Sequence, residues 1–276
     1  MTTASASAFD TLERRMWAGR AASYRRSAER LCAHPVPGLL DAAQVAEGSG
    51  HLDVGCGTGT VVEAALARGA RVTAVDAEPD MVAATRARIP RARVVHAVLP
   101  ELPFPDGGFD SVTANFVLNH VGDPIAALTE IHRVLRPGGR VAVTLWRNPN
   151  AAGQTLLGRA VQAAGATPAA GRPGPRVDFA RTADGVAGLL RAAGFGDVAG
   201  AEVGWEHRAD REEWWAGFAE EGIGTVGALL GALTDARRAA VKEHYDRLAG
   251  ELVDPDAPDG RLVLPHIAVL VRGGKP

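Results

Sequence analysis

Five short apolar runs, at positions 51–54, 71–75, 93–98, 109–114 and 140–146, alternate with segments of helical pattern in one unbroken stretch of the chain. Strands in this rhythm cannot be joined by tight hairpins. They lie parallel, and parallel neighbours need a long crossover, which a helix supplies. Helices are predicted at 60–68, from the acid-and-proline opening Glu78-Pro79-Asp80 to Arg88, and at 125–135. The fold class that follows is α/β, a doubly wound and mostly parallel sheet with helices on both faces.

Outside this stretch the rhythm changes. Residues 1–8 are small and polar, and residues 9–31 place Leu12, Met16, Tyr24 and Leu31 among charges and alanines in a helical pattern. The run His34-Pro35-Val36-Pro37 breaks it, so 1–37 reads as an N-terminal helical lid, followed by a short helix at 38–47. Residues 149–176 are rich in Gly, Pro and Ala; then 182–193 read as helix, 197–206 as strand, 211–248 as mostly helix and 261–271 as a last strand. Two late strands separated by a helical insertion, about 207–258, predict an antiparallel end to the sheet with the insertion folded over the site. The expected organisation is the lid, 1–37, and one domain, 38–276.

Composition narrows the partners. The 276 residues suffice for one large domain, and a net charge of −2 supplies no positive field to draw the chain onto nucleic acid. Cys32 and Cys56 have no metal spacing and read as free thiols of a reducing compartment. The start, MTTASASAFDTLERR, lacks a basic segment followed by an apolar run, and no stretch approaches bilayer length. The expectation is a cytoplasmic monomer or homodimer with no membrane or nucleic-acid partner and no metal, since no carboxylate cluster has divalent-metal spacing.

The chemistry starts at Asp53-Val54-Gly55-Cys56-Gly57-Thr58-Gly59, delivered by a strand into a helix. Glycines without a Cβ turn sharply and let a nucleoside lie against backbone, and Asp76, ending the next strand, is placed to accept hydrogen bonds from ribose hydroxyls. That pairing serves more than one nucleotide cofactor. Here Thr60 stands where the dinucleotide fingerprint Gly-x-Gly-x-x-Gly needs its last glycine. Asp53 would also repel a pyrophosphate, yet suit a ligand with an ammonium group and a sulfonium.

With LDVGCGTG, VDAEPDMV, LPFPDGGFD and RVLRPGGR in that order, residues 38–146 resemble the class I S-adenosylmethionine (SAM)-dependent methyltransferases, and MWAGRAASY resembles the lid helix of their bacterial small-molecule members. The resemblance implies a Rossmann-like sheet of seven strands with the last pair antiparallel, and SAM as cofactor across the carboxyl ends of the strands. It implies that Asp53, Gly55 and Gly57 line the methionine and adenosine path, that Asp76 with Ala77 holds the ribose, that Met81 covers an adenine face, and that Asn115 and Phe116 border the reacting methyl. Where the family often has an acid reading the adenine amino group, this chain has Val98-Leu99-Pro100, which leaves adenine to the Leu99 backbone and apolar contact.

Past the fourth strand His120 lies close to where the methyl belongs, and Glu206 and His207 end the sixth; His120 and His207 are the candidate bases. Tyr24, Trp146, Trp205 and Glu206 are the candidate acceptor contacts, with Trp214 and Trp215 in the insertion adding aromatic surface. The activity this implies is metal-independent transfer of a methyl group from SAM to a small, aromatic natural-product acceptor at O, N or C, chiefly by proximity and orientation. The alternatives are a quinone-ring C-methyltransferase of primary metabolism and a protein that keeps the cofactor site without catalysis; a nicotinamide oxidoreductase stands further off.

Overall fold

The computed structural model describes residues 7–166, 174–220, 222, 224–254 and 260–276. The strands are β1 (Gly50–Val54), β2 (Arg71–Asp76), β3 (Arg93–His96), β4 (Phe109–Asn115), β5 (Leu135–Trp146), β6 (Gly196–Ala209) and β7 (Leu262–Gly274). They form one seven-stranded sheet in the order β3-β2-β1-β4-β5-β7-β6. The first five are parallel, whereas β7 runs antiparallel between β5 and β6. This is the Rossmann-like architecture expected from the alternation and the late strand pair.

Ahead of the sheet stand α1 (Ala8–Trp17), α2 (Ala21–Arg26), α3 (Ala28–Ala33) and α4 (Val36–Ala42); α5 (Thr60–Ala67), α6 (Pro79–Arg88) and α7 (Pro124–Val134) follow β1, β2 and β4. Between β5 and β6 come α8 (Ala152–Ala163) and α9 (Ala183–Ala192), and between β6 and β7 come α10 (Arg211–Trp215), α11 (Gly224–Gly231) and α12 (Asp235–Gly250). Strand alternation divides the core. Leu52, Val54, Val112, Ala114, Val141 and Val143 pack with Leu128, Ile131 and Val134 of α7 and with Val186 and Leu190 of α9. On the opposite face Val72, Ala74 and Ala142 pack with Leu39 and Leu40 of α4 and Val62 of α5. A third cluster joins Leu156 and Ala160 of α8 to Val241 and Tyr245 of α12 and Leu262 and Leu264 of β7, so the insertion rests on the distal end of the sheet.

The lid differs from its expected form. Gly19 adopts φ 71° after α1, and Ser27 separates α2 from α3, so the single helix over 9–31 is three short ones. The proline-bearing run at 34–37 starts a helix instead of only ending one: Pro35 caps α4 and Pro37 sits in its first turn, where no N–H is needed. Helix α8 was not expected in the Gly/Pro/Ala-rich stretch, and β6 continues to Ala209, so the insertion starts at 210. The small polar residues 1–6, the centre of that stretch (167–173) and residues 221, 223 and 255–259 of the insertion lie outside the described residues.

The lid is fastened to the sheet through specific hydrogen bonds. Glu29 of α3 accepts from Thr58 Oγ1 (2.5 Å), Thr60 Oγ1 (3.1 Å) and Arg88 Nη1 (2.6 Å), which ties it to the glycine loop. Asp80 Oδ2 accepts from Ala21 N at 2.9 Å, Asn115 Nδ2 donates to the Cys32 carbonyl at 2.9 Å, and Asp10 Oδ1 accepts from Gly122 N at 2.7 Å. In a parallel sheet the crevice opens where neighbouring crossovers depart in opposite directions, which here is the carboxyl end between β1 and β4. The lid closes over that point.

Candidate active site

From Val54 the chain turns through the glycine loop into α5. Gly55, Gly57 and Gly59 adopt φ of 69°, 53° and 96°, a region closed to most side chains. A Cβ on Gly55 would lie 2.4 Å from Val117 Cγ2, and one on Gly59 2.9 Å from Ile89 Cδ1. Asp76 holds the loop in place: its Oδ2 accepts from Gly57 N at 2.8 Å and its Oδ1 from Glu78 N at 2.9 Å. Burial nonetheless raises the Asp76 pKa above the ordinary carboxylate value, outweighing both hydrogen bonds.

A cavity of about 600 Å³ lies against these residues, within the range of roughly 300–1,000 Å³ usual for small-molecule sites. One end is walled by Gly55, Gly57, Asp76, Ala77, Met81 and Leu99, and Asn115 and Phe116 border it beyond the end of β4. The other end is aromatic, with Trp146, Trp214, Phe218 and His266, while Glu13, Trp17 and Tyr24 of the lid cover it and His120 faces it from the loop after β4. Phe116, at φ 57°, stacks on Trp146 with ring centroids 4.1 Å apart. The Asn115 amide is engaged on both sides, by the Cys32 carbonyl and by Thr144 Oγ1, which donates to Asn115 Oδ1 at 2.5 Å.

Of the residues singled out from sequence, Gly55, Gly57, Asp76, Ala77, Met81, Leu99, Asn115, Phe116, His120, Tyr24 and Trp146 meet at this one cavity. Asp53, Trp205, Glu206 and His207 are not on its wall. Strand alternation puts Glu206 on the exposed outer face of β6. Trp205 and His207 face inward but stand behind the wall: Trp205 stacks on His34 and His266, and His207 packs on Trp214, with its Nδ1 3.5 Å from His34 Nε2. Burial, and then the neighbouring His34 and Arg30, push the His207 pKa down to about 4.

Asp53 is turned away for the same reason of alternation. With His51, Ser111 and Thr113 it forms a buried polar row under α4: Ser111 Oγ lies 2.9 Å from His51 Nδ1, and Thr113 Oγ1 lies 3.0 Å from His51 Nε2 and donates to Asp53 Oδ1 at 3.0 Å. Asp53 Oδ2 is buried without a partner, and burial pushes the Asp53 pKa up to about 8, the Thr113 hydrogen bond only partly opposing it. Between the unfolded value near ~4 and about 8 the native chain keeps a proton that the unfolded chain has released. Stability therefore falls as pH rises through that window. Asp53→Asn is expected to flatten this fall and to raise the melting temperature of the ligand-free protein at pH 8 relative to wild type. A variant whose melting temperature drops between pH 5 and 8 as steeply as wild type would show that Asp53 does not carry the effect.

Several residues at the cavity were not legible in advance. His266 of β7 donates Nδ1–H to the Leu264 carbonyl at 2.8 Å, and burial pushes its pKa down to about 4, so the neutral ring presents the Nε2 lone pair. Trp214, expected to add aromatic surface, does so on the cavity wall, and its Nε1–H is buried with no partner. Glu13, almost fully buried on α1, places Oε2 2.8 Å from His120 Nδ1; Asn119 Nδ2 lies 2.8 Å from His120 Nε2, and Trp17 Nε1 a longer 3.4 Å from Nδ1. Among the described residues no group of three or more His, Cys, Asp or Glu side chains is arranged to hold a metal, and no helix is long and apolar enough to cross a membrane.

The residues present fit an adenosyl amino acid. The glycine loop offers bare backbone, each Asp76 oxygen keeps a lone pair beyond its backbone partner, and Met81 and Leu99 give apolar walls. Comparison with known proteins agrees. Residues 52–143 match the family model described as a methyltransferase domain. The demethylmenaquinone methyltransferase of Clavibacter sepedonicus is 42% identical over 101 residues, 36% of this chain and 41% of that protein, so the chain spans about two fifths of the length of this curated relative. Among solved structures, the YcgJ protein of Bacillus subtilis superposes with a TM-score of 0.56 at 18% identity, over 88% of this chain and 98% of that one. The (4+2)-cyclase SpnF gives 0.55 at 21% identity, over 90% and 83%. At these identities the two structures share the fold alone. Residues 52–143 thus match a methyltransferase domain, and they sit in a seven-stranded sheet of the Rossmann-like methyltransferase fold.

Proposed function

We propose that the protein binds SAM at the glycine-loop end of its cavity and transfers the methyl group to a small aromatic acceptor held at the other end. The observation that carries this is the continuity of one lidded cavity from Gly55, Gly57 and Asp76 to Trp146, Trp214 and His266. In this reading Asp76 takes the ribose hydroxyls, Met81 and Leu99 flank adenine, and Asn115 and Phe116 border the methionine end. The sulfonium makes the methyl group electrophilic, so the protein's task is to align an acceptor against it and exclude water; proximity of this kind can supply on the order of 7–11 kcal/mol in the best cases. Phe116 and Trp146 form a flat apolar wall suited to a ring. His266 Nε2 and the Trp214 N–H offer one acceptor and one donor for a ring bearing a hydroxyl and a carbonyl.

A second reading is C-methylation of a quinone ring, favoured by the demethylmenaquinone methyltransferase relative. Calorimetric titration with SAM and S-adenosylhomocysteine (SAH), followed by mass-spectrometric assay against small phenols and a short-chain demethylmenaquinone, separates these. Binding of SAH with methylation of phenols supports the proposal; methylation of the demethylmenaquinone alone supports the second reading. Binding with no turnover on any acceptor points to a protein that uses the fold for something other than methyl transfer, since a fold does not fix its chemistry. In the phenol assay Trp214→Phe is expected to raise KM several-fold with SAH affinity unchanged. An unchanged KM would remove Trp214 from the acceptor site.

A further inference from the structure

The loop after β4 and the lid contribute one half each of a carboxylate–imidazole pair. His120 sits in a short turn (Leu118–His120) beside the cavity, and Glu13 comes from α1, 107 positions away in the chain. Their 2.8 Å contact is a charge-assisted hydrogen bond if Nδ1 carries the proton. In that tautomer Nε2 holds the lone pair, with the Asn119 amide N–H pointing at it from 2.8 Å, and the long 3.4 Å approach of the Trp17 N–H to Nδ1 is an edge-on ring contact instead of a hydrogen bond. Glu13 is 4% exposed, and its neighbour Asp10 pins α1 to Gly122 N beside His120. A Cβ on Gly122 would lie 2.6 Å from Ser7 Oγ and 2.7 Å from Asp10 Oδ2, so the residue two after His120 leaves room for the lid to dock. The pair exists only with α1 in place.

We propose that Glu13 is a positioning residue that makes His120 a general base when the lid is closed, and that the acceptor is a phenol or enol methylated on oxygen. This rests on the methyl-transfer reading above. When bound, SAM supplies the methyl: an oxygen lone pair forms the O–CH3 bond while the S–CH3 bond breaks with its electron pair staying on sulfur. The proton leaving the acceptor O–H goes to His120 Nε2, displacing the Asn119 N–H, and Glu13 balances the resulting imidazolium through Nδ1–H. An open lid takes the carboxylate away, which leaves the imidazolium without its counter-charge. Proton removal thus waits for closure.

Asp10, Glu13 and Arg14 of α1 line the cavity with His120, while Asp123, three residues further on at the start of α7, pairs with Arg176 at 3.7 Å. Of these only Glu13 contacts the ring through a charged atom, so Glu13→Gln removes that charge while keeping an oxygen for Nδ1–H. The direct test compares wild type, Glu13→Gln and His120→Gln in methyl transfer to phenols of different acidity, with calorimetric SAH binding as the control on folding. SAH affinity is expected to stay within twofold of wild type in both variants. Turnover then discriminates mechanism: Glu13→Gln and His120→Gln should slow methylation of un-ionised phenols by about 100-fold, and that of 4-nitrophenol, largely ionised at pH 8, by less than threefold. Equal losses on ionised and un-ionised phenols, or no loss on either in Glu13→Gln, would overturn the proposal. Wild-type protein that fails to bind SAH would instead overturn the reading beneath it.

Discussion

Replacing Asp76 with Ala is expected to weaken SAH binding by at least about 100-fold in calorimetric titration. The carboxylate ends β2 at the cavity wall, and each of its oxygens accepts one backbone N–H, from Gly57 or Glu78. Each oxygen has a second lone pair, enough for the two hydroxyls of a ribose. Hydrogen bonds to a charged group contribute about 1.5–3 kcal/mol each, so losing two accounts for the expected change. The loop loses its brace at the same time, since Gly57 N is left without its acceptor at a glycine held at φ 53°. Asp76→Asn should fall between, because its amide keeps one oxygen but turns an N–H toward one of the two backbone donors. Affinity should also decline on mild acidification: burial raises the Asp76 pKa, and protonation converts an acceptor the ligand needs into a donor. SAH binding to Asp76→Ala within threefold of wild type would mean that the nucleoside lies elsewhere.

Much of this site was readable in the chain because its parts are local. Parallel strands buried on both faces appear as apolar runs, so β1 to β5 stood out. The glycine loop and Asp76 are each placed by the strand that precedes them, and Met81, Asn115 and Phe116 follow within a few residues of strand ends. What was not readable depends on distance or on alternation. Glu13 meets His120 across 107 positions, and nothing in a helix that mixes charged with large apolar residues marks that glutamate as the partner of a distant histidine. Asp53 carried a usable signal that was missed: counting back from Val54 puts Asp53 on the same face as His51, under α4, instead of toward the ligand. The same count separates Glu206, on the outer face, from Trp205 and His207. The lid became three helices because Gly19 and Ser27 interrupt a pattern whose periodicity alone continues.

Helix α8 escaped notice because alanine and glycine fill it, and one of those glycines supplies the second large effect. Gly153 stands in the first turn, where α8 lies directly on the backbone of β7: a Cβ there would sit 2.7 Å from the Pro265 carbonyl oxygen and 2.8 Å from the Leu264 carbonyl carbon. Strand backbone cannot yield as a flexible side chain would. The neighbouring Gln154 Oε1 accepts from both Ala151 N and Ile267 N, which fixes the helix start against the strand. Any side chain at 153 must therefore lift α8 from β7 and open the cluster of Leu156, Ala160, Tyr245 and Leu264. Overpacking of this kind costs about 1–3 kcal/mol and occasionally more, so Gly153→Ala is expected to destabilise within that range and Gly153→Val beyond it, read as a shift in denaturant midpoint. Gly158, one helical turn and a half further on, has nothing within 4 Å of the same imagined atom. There Gly158→Ala gains about 0.8–1 kcal/mol of helix propensity and should stabilise the protein. Because His266 and the aromatic wall share β7 with Leu264, Gly153→Ala should also weaken acceptor binding more than SAH binding, which is held by the far end of the sheet. Two substitutions of one kind, on one helix, with opposite signs make the test strict: if both destabilise alike, α8 does not pack on β7 as described.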